Sequence, residues 1–202
     1  MDHYDRVFTT SEKVIPFSEI KIQGDAIKLV SGTDQLWDKI EIYEPEHNLI
    51  CNLERNSVSG GSLAETKLAR IKDSIRDCYP TSAREWLTKY FSTIKTIYTF
   101  QLFPTNITKN GWPVLGRIQN LLKDLLNGII QADKEGFYNH EGDFILWQMY
   151  QGASGTIHAA TLDDREQWVS YRLSLNDVKA IELFKQGTVP KKSFFSRLFK
   201  GA

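Results

Sequence analysis

The sequence predicts an α+β fold, with antiparallel strands in an N-terminal and a C-terminal block flanking a central helical block, followed by a short cationic amphipathic tail. Three observations carry this. Short apolar runs separated by turn-forming residues fill the first quarter and the last third of the chain. Two helix-capping signatures, each followed by apolar residues spaced at three and four, fill the middle. The final thirteen residues hold Lys191, Lys192, Arg197 and Lys200 and no acid. Strands and helices in separate blocks, rather than in alternation, point to an antiparallel sheet and away from βαβ units.

In the first quarter the apolar runs are Phe17, Ile20 and Ile22, then 26–30, then Ile40 and Ile42, then Leu49, Cys51 and Leu53. Gly24-Asp25, 31–34 and Glu44-Pro45-Glu46 separate them with turn chemistry, so the segment reads as a meander. Ser62 with Glu65 forms a capping box, after which Ala64, Leu68, Ile71, Ile75 and Cys78 share one helical face up to Tyr79-Pro80. Ser82 with Glu85 opens a second helix, with Leu87, Tyr90, Phe91, Ile94 and Ile97 or Tyr98 inward and Pro104 ending it. The short break between the two predicts a helical hairpin.

Asn110-Gly111 is a turn, and Trp112-Pro113 places proline early in a helix over 114–130. Leu115, Ile118, Leu121, Leu122, Leu125, Leu126 and Ile129 cover about half of that helix, which should be the most buried element, packed on both the hairpin and a sheet. Strands return at 137–139, 144–149, 156–162 and 168–173. Ser174 with Asp177 then caps a last helix that buries Val178, Ile181 and Phe184 and ends at Gly187. Residues 1–189 are expected to form a single globular domain and 190–202 an appended tail.

Hydrophobic residues make up 41% of the chain and aromatics 12%, enough for a core without disulfide support. Lys and Arg number 25 and so do Asp and Glu; without the four tail cations, residues 1–189 carry 21 against 25, a net of −4. An acidic body of this kind excludes a phosphate-tracking nucleic-acid binder, which needs a stripe of cations. The start of the chain has no signal-peptide pattern, and no run reaches the roughly 18 apolar residues of a membrane span, so a cytoplasmic location is expected, with possible peripheral contact to a membrane through the tail. Cys51 and Cys78 occupy core-facing phases and are expected to be free, unreactive thiols.

Three stretches are candidates for binding or chemistry. In the tail, Phe194, Phe195, Leu198 and Phe199 fall on one arc of a helix opposite Arg197 and Lys200, and with Lys191 and Lys192 they suit a partner protein or an anionic membrane. A solvated tail, or one folded back on the acidic body, accounts for the same residues. The stretch 55–62 offers small residues at a helix start, where amides can meet an anion, but Gly60-Gly61 are explained by a tight turn before the Ser62 cap. Pairing 144–149 with 156–162 as a hairpin would set Leu162 opposite Asp143. That register gathers His140, Glu141, Asp143, Asp163 and Asp164 at one sheet edge, as solvated turns or as a place for a divalent cation or a cationic ligand.

No spacing in the chain marks a nucleophile, a metal site or a cofactor site, and Trp86, Trp147 and Trp168 are expected to pack in the core or on the sheet. The leading expectation is a non-enzymatic, cytoplasmic, macromolecule-binding protein whose tail makes an auxiliary contact. One alternative is a hydrolase or metal-assisted enzyme at the acidic edge. Another is an inhibitor or immunity-type protein whose acidic body meets a basic partner.

Overall fold

A computed structural model describes residues 3–21, 26–44, 48–149 and 152–189. One sheet runs through them, built from β1 (His3–Thr9), β2 (Ala26–Gly32), β3 (Trp37–Tyr43), β4 (Leu49–Ser57), β5 (Thr96–Leu102), β6 (Ile129–Ala132), β7 (Gly136–Tyr138), β8 (Phe144–Trp147), β9 (Thr156–Leu162) and β10 (Trp168–Ser174). Its spatial order is β10-β9-β8-β7-β6-β1-β5-β4-β3-β2. All neighbours pair antiparallel except β8 and β9, which run parallel. The helices are α1 (Phe17–Ile20), α2 (Leu63–Ser74), α3 (Thr81–Phe91), α4 (Gly111–Leu126) and α5 (Val178–Lys185). The expected α+β class and antiparallel sheet are therefore present, and no helix among the described residues is long and apolar enough to cross a membrane.

Side-chain alternation along the central strands divides the core. Val7, Tyr98 and Phe100 point to the face covered by α4, where they meet Leu115, Ile118, Leu122 and Leu126. Phe8 and Ile97 point to the opposite face and meet Leu68, Ile71, Leu87 and Phe91 of α2 and α3. The helical hairpin and α4 therefore lie on opposite sides of the sheet, and α4 does not touch both as its sequence suggested. Leu125, placed in the core by its spacing, is 41% exposed, while Leu122 is fully buried. A third cluster joins Phe144, Ala159, Leu173 and Phe184, with α5 on the other side of β9 from α3.

Several boundaries differ from those the sequence implied. Residues 17–20 form one helical turn rather than a strand, and Ile22 lies outside the described residues. The α2 cap forms as expected, with Ser62 Oγ accepting from the Glu65 N–H at 3.1 Å and Glu65 Oε2 accepting from the Gly61 N–H at 2.7 Å. The second cap does not: α3 starts at Thr81 behind Pro80, and Ser82 Oγ is buried with no hydrogen-bond partner in the described structure. The helix stops at Phe91, and the expected continuation to Pro104 is β5, whose run Thr96-Ile97-Tyr98-Thr99-Phe100 has the β-branched and aromatic residues of a strand. Asn127, at φ 46° and ψ 47°, closes α4 in the left-handed conformation, so that Ile129 begins β6 instead of ending the helix. At α5 the cap is Asp177 alone, accepting from the Lys179 and Ala180 N–H groups, and Val178 is 71% exposed.

Candidate functional site

The anticipated hairpin between β8 and β9 does not form. The two strands meet in parallel through Phe144 and Ala159, so the register that was to set Leu162 opposite Asp143 is absent. The five candidate residues consequently have separate duties. Asp143 is buried, takes a hydrogen bond from the Ser170 hydroxyl, and its own N–H donates to Asn139 Oδ1 at 2.8 Å. His140 stacks at an angle on Trp86 with ring centres 6.0 Å apart, and its carbonyl accepts from the buried Lys123 Nζ at 2.8 Å. Glu141 is exposed and donates its N–H to Asn139 Oδ1 at 3.0 Å. Asp163 Oδ1 accepts the Arg165 and Gln167 N–H groups at 2.8 and 2.9 Å, the ordinary chemistry of a tight turn. No group of three His, Cys, Asp or Glu side chains among the described residues is arranged to hold a metal. The tail residues Lys191, Lys192, Phe194, Phe195, Arg197, Leu198, Phe199 and Lys200 lie outside the described residues.

Asp163 and Asp164 contribute instead to a cleft of about 550 Å³ between α3, the β9–β10 turn and the end of α5. Glu85 and Glu166 add two more carboxylates, against the cations Lys89 and Lys185. Lys89 pairs with Glu166 at 3.4 Å and Lys185 with Glu182 at 3.4 Å, which leaves Glu85 and Asp164 without an ion pair among the described residues. Tyr79, 52% exposed, and Trp86 supply aromatic walls. Trp86 is held by stacking on Tyr90 at 5.1 Å and edge-on against Trp168 at 5.2 Å. The combination is an open, acidic and aromatic surface of a kind that attracts cations by charge and by the ring quadrupole.

Strand β1 was not anticipated from the sequence, and it supplies two further clefts, one on each face. On the α4 side, His3, Asp5, Trp112, Gln119, Glu135 and Tyr138 border about 370 Å³. Asp5 is 8% exposed, and burial raises its carboxyl above the usual range; the Asp133 N–H at 3.1 Å and the Gln119 amide at 2.9 Å partly offset this. Both Asp5 oxygens are thus engaged in tying β1 to α4 and to the end of β6. On the α2 side, Arg6, Lys67 and Arg70 border a cleft of about 400 Å³. One signal for it stood in the sequence: Lys67, Arg70 and Ser74 follow helical spacing beside the core stripe of α2.

Cys51 is fully buried, and burial first, with the Asp5 carboxylate second, pushes its thiol well above the ordinary range. Cys78 is only half-buried, because α2 ends at Ser74 and the chain has left the helical face before reaching it. Trp147 and Trp168 pack as expected, the first against Phe144 and Phe184. Comparison of the chain with protein-family models, with curated proteins and with solved structures finds no match.

Proposed function

We propose that this protein works by binding another macromolecule rather than by catalysis, its cleft beside α3 receiving a cationic, aromatic-bearing segment of a partner protein and its tail making a second, auxiliary contact with the partner or with an anionic membrane. The observation that carries the reading is the cleft itself, where Glu85 and Asp164, unpaired among the described residues, stand beside the aromatic walls Tyr79 and Trp86. Contact between a cation and an aromatic face contributes about 0.5 to 1 kcal/mol where exposed and about 2 kcal/mol where desolvated, and the carboxylates add steering toward a basic partner. An acidic body with a net of −4 favours the same sign of partner. The tail is of opposite charge and suits an anionic surface, so the two contacts select different features.

The chain's own residues 190–202 have the composition such a cleft should accept, and a synthetic peptide of that sequence is the probe. Calorimetric titration into protein ending at residue 189 should give weak, saturable binding that declines between roughly 50 and 300 mM salt as screening increases. Glu85→Gln with Asp164→Asn should weaken it about tenfold, and a peptide with its three phenylalanines replaced by alanine should bind less tightly than the parent. Binding that ignores both changes, or no binding at low salt, would refute the assignment of the cleft.

A further inference from the structure

We infer that the cleft between α2 and the β6–β1–β5 face is a binding site for the phosphate group of a small phosphorylated ligand, held by Arg6, Lys67 and Arg70. Alternation along β1 sends Arg6 to the face opposite Asp5, where it sits half-buried between Thr99 of β5 and Gln131 of β6, its partners across the ladder. From α2, Lys67 and Arg70, three residues and so about one helical turn apart, border the same space. Three cations from two elements thus converge on one cleft. Its lining holds a single acid, Asp133, which also lies 3.8 Å from the His3 ring.

Two of the three cations balance none of the protein's own charges. Lys67 and Arg70 make no ion pair or hydrogen bond among the described residues. Arg6 is fixed by its Nη1, which donates to Gln131 Oε1 at 3.0 Å and to the Tyr4 carbonyl at 3.2 Å, and by packing over the Tyr4 ring at 5.5 Å. Nε and Nη2 of the same planar fork remain for a ligand, and a pre-set guanidinium matches an oxyanion through two parallel hydrogen bonds. Burial lowers the Arg6 pKa, with Asp133 and Asp5 opposing the shift, which marks a cation whose desolvation is incompletely offset. Thr99 and Gln131, both 5% exposed, give the floor polar groups rather than an apolar plug.

The charge and shape choose among anions. Three cations against Asp133 leave a surplus of two, of which a monocarboxylate would meet half; a dicarboxylate carries its two charges on separate groups, whereas a phosphate monoester brings up to two charges and three acceptor oxygens to the three donors on one centre. At about 400 Å³ the cleft is also too large for a bare ion, and Tyr4 and Ile71 provide a surface for the organic part of the molecule. The stretch 55–62, with its small residues ahead of α2, is not involved: the donors here are side chains on the flank of α2, not amides at its start.

The test uses the full chain at constant ionic strength, titrated with inorganic phosphate, glycerol phosphate and succinate, and read by calorimetry and by amide NMR shifts. Phosphate and the monoester should bind saturably, the monoester more tightly, with shifts at Thr99, Gln131 and Ser74; succinate should be at least about tenfold weaker. Lys67→Ala and Arg70→Ala, both at exposed positions, should each weaken the monoester about tenfold while leaving the circular dichroism and melting temperature of the free protein unchanged. Equal binding of succinate, shifts confined to other surfaces, or affinities indifferent to both variants would overturn the inference. So would the absence of saturable binding by phosphate and the monoester alike.

Discussion

Replacing Leu122 by alanine should destabilise the protein far more than the same change at Leu125, although the two leucines stand three residues apart on one helix. Leu122 is fully buried among Val7, Tyr98, Phe100 and Ile118 on the α4 side of the sheet, whereas Leu125 is 41% exposed. On a helix three residues correspond to a displacement of roughly 60° round the axis, which is enough to carry a side chain from the core to its rim. Leucine to alanine removes three carbons, worth about 2.4 kcal/mol in transfer free energy at ~0.8 per methylene. The cavity left between the packed strands and α4 brings the expected cost at Leu122 to about 2 to 5 kcal/mol. At Leu125 the rim can collapse or hydrate, and the cost should stay below about 1 kcal/mol. Urea unfolding at constant slope gives both values, and for a chain of this length the Leu122 variant should melt roughly 4 to 20 °C below the parent. Equal losses at the two sites, or a loss below about 1 kcal/mol at Leu122, would show that the buried face of α4 has been misassigned.

Three further outcomes are expected. Burial raises the Asp5 carboxyl above its unfolded value, so its contribution to stability is present at low pH and is lost as pH rises through the folded pKa. Asp5→Asn can keep both hydrogen bonds if the Gln119 amide turns over, so its stability relative to the parent should increase from about pH 4 to pH 7 in urea titrations, and a flat difference would contradict this. Cys51 should react with a thiol reagent only on unfolding, while half-buried Cys78 should react earlier; faster labelling of Cys51 would reverse the assignment. Deleting residues 191–202 should change the unfolding free energy by less than about 1 kcal/mol yet reduce adsorption to vesicles containing anionic lipid, and a larger loss of stability would make the tail part of the fold.

The elements that follow from local chemistry were legible in the sequence. The Ser62–Glu65 box, the 3- and 4-residue spacing of α2 and the antiparallel strands β2, β3 and β4 stand where their residues indicate. What escaped was hidden by competing signals. Phe91, Ile94 and Ile97 continue the helical period of α3 straight through Ser92-Thr93, and the strand character of 96–100 was masked by it. Strand β1 has only Val7 and Phe8 as an apolar pair, because Asp5 and Arg6 take inward positions that a hydrophobic pattern would fill. Those two polar residues obscured the strand and border the two clefts on its faces. The parallel pairing of β8 with β9 was beyond sequence reasoning, since the connection over 148–155 has the glycine-rich look of a hairpin loop.

That parallel pair has a mechanical consequence. Elsewhere neighbouring strands share three or more register positions, but β8 and β9 share only Phe144 with Ala159, so the backbone ladder nearly lapses there. Side chains hold the joint: Phe184 of α5 lies on Phe144 with ring centres 5.4 Å apart, and Trp168 of β10 abuts Trp86 of α3. A seam fastened by rings rather than by amide bonds is where a sub-global unit of β9, β10 and α5 would detach first, so its amides should exchange with solvent ahead of those in β1 and β5. The acidic cleft has one wall on each side of this seam, with Tyr79 and Trp86 on one and Asp163 and Asp164 on the other. Any molecule that spans it acts as a clasp, and slowed hydrogen exchange across β9 and β10 would report occupancy even when the occupant is silent by every other probe.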